Sequence, residues 1–236
     1  MDVTEAVRSR KSVRAFLPDS VPQEVLLDVF EAARRTPSGG NLQPWHAIVL
    51  TGQPLTAFRA GMAKAVVNGL GSEPEQYPIY PSDLPKPYRE RRFKVAEDMY
   101  GLLGVPRDDK PARLAWVAQN FCFFGAPVGM IVHMPAIMGP PQWSDTGMWM
   151  QTLMLLLRGH GLHSCAQEAW SLFHTSIRRL LPIPPDHIVF AGMAIGYADT
   201  TKSVNNLHSE RAVLADYVSF DGFTAQEDPC PIKDLG

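Results

Sequence analysis

Helical and strand-like patterns interleave along this sequence, yet the strands are few and short, which predicts an α+β fold rather than a doubly wound parallel sheet. Two further observations frame that prediction. No Gly/Ser-rich or charge-block linker divides the 236 residues, and one helical stretch is apolar around nearly its whole circumference. A hydrophobic content of 45% is enough to fill a core, so the chain reads as one domain.

Pro22 suits a first helical turn, and Val25, Leu26, Val29, Phe30, Ala32 and Ala33 follow at helical spacing, so 22–35 is an amphipathic helix. Pro37, Gly39 and Gly40 end it. Residues 46–51 read as a short strand and 55–67 as a second helix. The stretch 69–87, rich in Gly, Pro and Ser, is a long excursion of a kind that is usually functional or mobile. Charged and mixed helices at 88–103 and 111–124 precede an apolar strand at 128–134, and prolines break the pattern over 135–141. Asp145 stands where it can cap a helix running to His160. That helix carries Met148, Trp149, Met150 and 153–157 on all sides, so it must lie in a core or an interface. Residues 188–195 form the last core strand, and the remainder through Phe220 reads as an arm.

Composition narrows the function. A formal charge of −2 with both signs interspersed offers no basic field for nucleic acid or anionic lipid. The first twenty residues lack an apolar block of signal-peptide length, and no later run reaches membrane-span length. Cys122, Cys165 and Cys230 form an odd, widely spaced set, better suited to reduced thiols than to a disulfide framework. A cytoplasmic protein is expected.

Two segments carry chemistry. In RKSVRAF, residues 10–16, an extended backbone projects Arg10, Ser12 and Arg14 to one face and turns Lys11 and Val13 to the other. Two guanidiniums and a hydroxyl on one face make a site for an anion such as phosphate, and they fit a solvated strand edge as well. In PSGGNLQPW, residues 37–45, the glycines open backbone geometry closed to other residues, and Ser38, Asn41 and Gln43 supply donors and acceptors. That suits a polar heterocycle lying against backbone, or an ordinary connector.

These two motifs in this order resemble the amino-terminal signature of the FMN-dependent nitroreductase family. The similarity continues in DTGMWMQTLMLLLRGHGLHSCAQEAW at 145–170 and ERAVLADY at 210–217, so it spans nearly the whole chain. Several ordered motifs are much harder to match by chance than one. The resemblance implies a nitroreductase-like fold, a central mixed sheet flanked by helices, in an intertwined homodimer. The 145–160 helix would lie at the interface, with 69–92 as an excursion over the site and 200–236 as an arm wrapping the partner. FMN would occupy two equivalent sites between protomers.

The resemblance also implies roles. Arg10, Ser12 and Arg14, with Lys11 in the same motif, would grip the flavin phosphate and the pyrimidine edge of its ring. Pro37, Ser38, Gly39, Asn41 and Gln43 would reach the flavin held mainly by the other protomer. Gln167, Glu168 and Ala169 would form the loop whose backbone N–H groups face flavin N5, and His208 and Arg211 would close on the phosphate. Hydride would pass from NAD(P)H to the flavin and then to a nitroaromatic or quinone-type acceptor, in ping-pong order, with no side-chain nucleophile. Trp143, Trp149 and Trp170 could stack on an aromatic acceptor or fill the core.

Two departures from the family pattern stand out. Ala169 replaces a frequent glycine, so the backbone role needs a conformation open to alanine. His208 stands where a second basic residue is common, which makes phosphate neutralisation weaker or pH-dependent. Arg89, Arg91 and Arg92 match nothing in the pattern. Among rivals, His160, His163, Cys165 and Glu168 offer zinc-type ligands but no H-E-x-x-H or paired C-x-x-C spacing. A Rossmann dehydrogenase lacks its third glycine after Gly69-Leu70-Gly71, and a serine hydrolase lacks G-x-S-x-G. A flavin-consuming, dehalogenating or dehydrogenating relative, or a non-catalytic flavin binder, is the remaining alternative.

Overall fold

The computed structural model describes residues 1–222; Cys230 and the last residues of the expected arm, 223–236, lie outside the described residues. Four strands make one sheet: β1 (His46–Thr51), β2 (Val128–Pro135), β3 (His163–Gln167) and β4 (His187–Gly196), in the order β1-β2-β4-β3. Among the described residues every neighbouring pair of strands is antiparallel, and the parallel component is an isolated bridge between Ser12 and Ser164. The helices are α1 (Val3–Ser9), α2 (Gln23–Ala33), α3 (Gly52–Val66), α4 (Tyr88–Leu102), α5 (Lys110–Ala118), α6 (Pro140–Gly159) and α7 (His174–Leu180).

The sheet is covered on both faces, which is why β2 is buried almost from end to end. Val128, Met130 and Val132 face one core with α2 and α6, while Ile131 faces the other with α3 and α7. On β4 the alternation reverses. Ala191, Met193 and Ile195 share the α2/α6 core, but Val189 lies in the opposite one. The register explains this: Val132 pairs with Ala191 and His133 with Val189, so Phe190 is the extra residue of a β-bulge, and a one-residue insertion swaps faces.

Several boundaries differ from the sequence expectation. Helix α6 begins at Pro140, because prolines fit a first turn where the N–H has no helical partner, and the Gly139 N–H is met by Gln142 Oε1 at 3.2 Å. Asp145 is therefore no cap; it is buried inside the helix. The helix expected over 111–124 stops at Ala118, since Phe123 and Phe124 take φ of 56° and 51° to bury their rings. Three elements were not foreseen: α1, capped by Asp2 Oδ1 on the Glu5 N–H at 2.8 Å; the five-residue edge strand β3; and α7. The excursion after α3 is pinned rather than loose. Glu73 accepts from the N–H groups of Thr175 and Ser176 at 2.6 and 3.0 Å, Gln76 Oε1 accepts from the Val189 N–H at 3.1 Å, and the Tyr77 hydroxyl donates to the Phe190 carbonyl.

At one end of the sheet three imidazoles meet. His46 stacks on His133 with centroids 5.4 Å apart, and His133 Nδ1 lies 2.9 Å from His187 Nδ1, so one of the pair donates and the other accepts. Burial, then the neighbouring His187 and His46 and the Arg178 charge, lower His133 from 6.5 to about 4. His187 is lowered too, first by burial and then by His46, with Asp186 opposing. A ring neutral in the folded state and protonated at 6.5 in the unfolded chain costs stability only in acid. The contribution of neutral His133 is full above about pH 6.5 and is lost as pH falls towards 4, a difference of about 3 kcal/mol. Urea midpoints followed from pH 7.5 to 4.5 should fall in the parent protein and fall less steeply in His133→Leu. Equal slopes in the two proteins would exclude His133 as a source of acid sensitivity.

Candidate functional site

The first motif is held by the end of the sheet it precedes. The Val13 N–H donates to the Ser164 carbonyl at 3.1 Å, Phe16 bridges Ala198, and the Leu17 N–H reaches the Tyr197 carbonyl at 2.9 Å. Val13 is fully buried, as alternation requires, so the neighbours Ser12 and Arg14 turn to the other side. Asn205, 2% exposed, locks the segment: its Oδ1 accepts from the Arg14 N–H at 2.8 Å, and its Nδ2 donates to the carbonyls of Ala15 and Asp199 at 2.8 and 2.9 Å. Nothing in the sequence distinguishes this asparagine from an ordinary loop residue. The Lys11 ammonium donates to the Asn205 carbonyl. Lys11 thus curls back to the same cleft instead of pointing away, a correction to strict alternation that its long flexible stem permits.

The cleft has a volume of about 580 Å³. It is lined by Arg8, Arg10, Lys11, Ser12 and Arg14 of the first motif and the residues before it, by His208, Ser209 and Arg211 of the arm, and by Val95 of α4 and Gln151 of α6. Among the described residues no carboxylate lines it, although the chain as a whole carries a net charge of −2. Burial and then the charge of Arg211 lower Arg10 from its ordinary range. Like charges held this close are relieved by an anion between them, so the cleft has the chemistry to take a phosphate-type group. Beneath it lies Cys165, a free thiol pushed up by burial and drawn down by Arg14, Ser12 and Arg10. His208 Nδ1 donates to the Asn206 carbonyl at 2.8 Å, and Arg211 is wound on Ser209, with Nη1 2.6 Å from the hydroxyl.

From Ser164 the strand β3 runs on to Gln167, about 10 Å along the sheet edge. Because the bridge at Ser12 is parallel, the chain from Arg10 to Arg14 advances the same way. An elongated ligand with its anionic end at Arg10 and Arg211 would therefore lead past Arg14 towards Glu168 and Ala169. These two residues open a 3-10 turn, Glu168–Phe173, and Ala169 has no positive φ, so alanine sits there without strain. Glu168 has an exposed surface, yet the dense protein around its carboxyl raises it above the usual carboxylate range. Gln167 is different: its side chain is 3% exposed and spent on Asn120 and Trp170, so only its backbone can face a ligand.

The second motif is not part of this cleft. Ser38 Oγ accepts from the Gln43 N–H at 3.0 Å, the Gly39 N–H donates to Asp145 Oδ2 at 3.2 Å, and Pro37 precedes them. Gly40, Asn41 and Gln43 all take positive φ, which fixes a sharp exposed turn. Within one chain, then, Asn41 and Gln43 are exposed, Ser38 is half-buried, and none of the three lines the cleft that holds Arg10. Of the tryptophans expected to stack on an acceptor, Trp149 and Trp170 are core, and the Trp143 N–H is tied to the Met138 carbonyl at 2.8 Å. The zinc-type residues do not converge: His160 pairs with Asp28, and His163 Nε2 accepts from Arg158 at 3.0 Å. Arg92 covers the Tyr80 ring at 4.0 Å, and Arg91 and Lys94 reach Asp216 and Glu210 of the arm at 3.9 and 3.2 Å.

A profile of the nitroreductase family matches residues 7–197. The chain is 36% identical over 224 residues to a 4-nitrobenzoate reductase from Pseudomonas putida, covering 94% of this chain and 96% of that one. It is 34% identical to a chloronitrobenzene nitroreductase from Comamonas testosteroni, over 92% of this chain and 96% of the relative. Among solved structures it is similar to the FMN and NADPH-dependent nitroreductase NfnB from Sphigopyxis sp. strain HMH, with 45% identity, a TM-score of 0.91, and coverage of 94% of this chain and 100% of that one. The FMN-dependent nitroreductase NfnB from Mycobacterium smegmatis, in complex with NADPH, superposes with a TM-score of 0.88 at 30% identity, over 93% of this chain and 97% of that one.

The Asn205 amide generates a test of the cleft. Asn205→Ala takes the acceptor from the half-buried Arg14 N–H and one of two donors from the Ala15 carbonyl, which keeps the Asp199 N–H, and should cost about 1–3 kcal/mol in urea unfolding. Stabilisation by added inorganic phosphate, read as a rise in melting temperature, should shrink in the same variant. A variant as stable as the parent, with the same response to phosphate, would show that Asn205 does not organise the arginine motif.

Proposed function

Since the chain belongs to the nitroreductase family, we propose that two copies of it form an FMN-dependent, NAD(P)H-driven reductase of nitroaromatic or quinone-type acceptors. The observation that carries this reading is the carboxylate-free cationic cleft leading along β3 to the turn at Glu168 and Ala169. FMN, when bound, supplies the redox chemistry, taking a hydride from NAD(P)H and passing it to the acceptor.

The chain's own residues supply position and charge. Arg10 and Arg211 hold the phosphate, with Lys11 and His208 at the rim and Ser12 as a hydroxyl donor. Arg14 lies further along the cleft, where a cation stabilises negative charge on the pyrimidine edge of the ring. Backbone N–H groups at Glu168 and Ala169 face the reactive edge, and Gln167 contributes through its backbone only. The turn from Pro37 to Gln43, with Ser38, Gly39 and Asn41 presented outwards, completes the site of the partner subunit. This division suits a dimer. Met148 on α6 is 43% exposed, and Val213, Leu214 and Tyr217 on the arm are 67, 53 and 68% exposed, an apolar surface that a second copy would cover.

The salt bridges from α4 to the arm bring the 88–92 end of the excursion and the 207–222 segment together beside the cleft. In this reading the whole chain is one FMN-binding domain, the excursion reaches the site through α4, and the arm wraps the partner. No described helix is long and apolar enough to cross a membrane, and the free thiols Cys122 and Cys165 suit a reducing cytoplasm.

Two tests follow. Arg10→Ala and Arg211→Ala should each weaken FMN binding by about 1.5–3 kcal/mol in fluorescence titration, while Lys11→Ala, whose ammonium is occupied by the Asn205 carbonyl, should lose less. Equal losses at all three would mean that the cleft acts as a diffuse field rather than a phosphate grip. The absence of a separate dinucleotide motif puts the nicotinamide and the acceptor over the same flavin face, so each excludes the other. Initial rates with a nitroaromatic acceptor should give parallel double-reciprocal lines, from a species sedimenting at twice the chain mass. Intersecting lines, or an active FMN-loaded monomer, would overturn the shared-site arrangement.

A further inference from the structure

The turn at Glu168 and Ala169 is held by a buried amide clamp. Gln167 Nε2 donates to the Asn120 carbonyl at 2.8 Å and to Asn120 Oδ1 at 3.2 Å, while Gln167 Oε1 accepts from Trp170 Nε1 at 3.3 Å. One side chain thereby ties both ends of the tetrapeptide 167–170 to a different part of the fold. Asn120 is itself oriented, because its Nδ2 donates to the Val117 carbonyl at 2.9 Å and leaves Oδ1 to face Gln167. Inside the turn, the Ser171 hydroxyl donates to the Glu168 carbonyl at 2.9 Å.

The surroundings leave this clamp no slack. Trp170 is fully buried against Phe123, with ring centroids 4.3 Å apart, and against Phe58 and Phe121. A Cβ on Gly192, the residue paired with Gln167, would stand 2.2 Å from Trp170 Cδ1, and one on Gly129 would stand 2.4 Å from Phe123. Phe123 and Phe124 keep positive φ, a conformation that side chains with a Cβ disfavour and that persists only where the surroundings impose it. The 119–125 segment is thus a strained, tightly packed support whose polar contact with the turn is Asn120 to Gln167. Neither residue lines the cationic cleft.

We propose that Asn120 and Gln167 are positioning residues for hydride transfer: through the clamp they set where the backbone N–H groups of Glu168 and Ala169 stand against the flavin. The inference rests on the FMN reading of that turn. Misplacement of such groups by about 1 Å is enough to cost orders of magnitude in rate without loss of ligand.

The test uses full-length FMN-loaded protein. Gln167→Met keeps the volume and removes the amide; Asn120→Ala removes the Asn120 amide, with Oδ1 and the Nδ2 bond to Val117, but keeps the backbone carbonyl that Gln167 Nε2 holds at 2.8 Å, so it is the milder probe and decides the matter if the first variant fails to fold. Both should retain dimer and one FMN per chain. Both should shift the visible absorption bands of the bound FMN and slow single-turnover bleaching by NADPH, Gln167→Met by roughly tenfold or more. Lower melting temperatures with unchanged spectra and bleaching rates would overturn the proposal and leave a merely structural clamp. Ala169→Pro, which deletes an N–H of the turn, separates this from failure of the underlying reading. If Ala169→Pro changes spectrum and rate while the clamp variants do not, the positioning role is wrong; if none of the three changes them, the turn does not face the flavin.

Discussion

The site depends on one short contact, the parallel bridge by which Ser12 and Val13 join Ser164 at the start of β3. It fixes the face on which Arg10 and Arg14 stand, because Val13 is buried and its neighbours must turn outwards. It also sets the direction of the cleft, since the arginine motif and β3 then run the same way. Asn205 closes the arrangement from the other side with an amide whose polar atoms are all spent on backbone. A charged segment that could have been a solvated edge is in this way held rigid enough to concentrate cations without carboxylates.

Holding those cations close has an electrostatic cost that the protein does not relieve internally. Arg10 is lowered first by burial and then by the charge of Arg211, and an anionic ligand would offset both. The same unfinished character marks the rest of the chain. The turn from Ser38 to Gln43 is sharply shaped yet turned to solvent, α6 keeps Met148 exposed, and the arm carries apolar residues in the open.

Much of the fold was legible in the sequence. The period of apolar residues gave α2, β1, β2 and β4, and the all-round apolar α6 follows from the same pattern. The limits of that pattern are equally physical. Asp145 looked like a cap because capping chemistry is local, but Pro140 and Pro141 could begin the helix earlier and free Asp145 to hold Gly39, 106 residues away. The helix expected to reach residue 124 was stopped by aromatic burial, a tertiary force that outweighs helical propensity at Phe123 and Phe124. Strand β3 is short and at the sheet edge, where neither period nor composition marks it.

By itself the sequence determined the residue types and their order: cations at Arg10, Arg14 and Arg211, a glycine-containing turn at 37–43, and a helix apolar around most of its circumference. Those are properties of single segments, and local chemistry is enough to read them. Only the tertiary structure decided which of them meet. It brought the arm to the arginines, set the turn from Ser38 to Gln43 apart from them, drew Lys11 back into the cleft, and spent the Gln167 side chain on Asn120 rather than on a ligand. Such pairings join residues tens to hundreds of positions apart, and they are selected by burial and by the need to satisfy every buried polar group at once. That condition belongs to the folded chain as a whole, and no single segment records it.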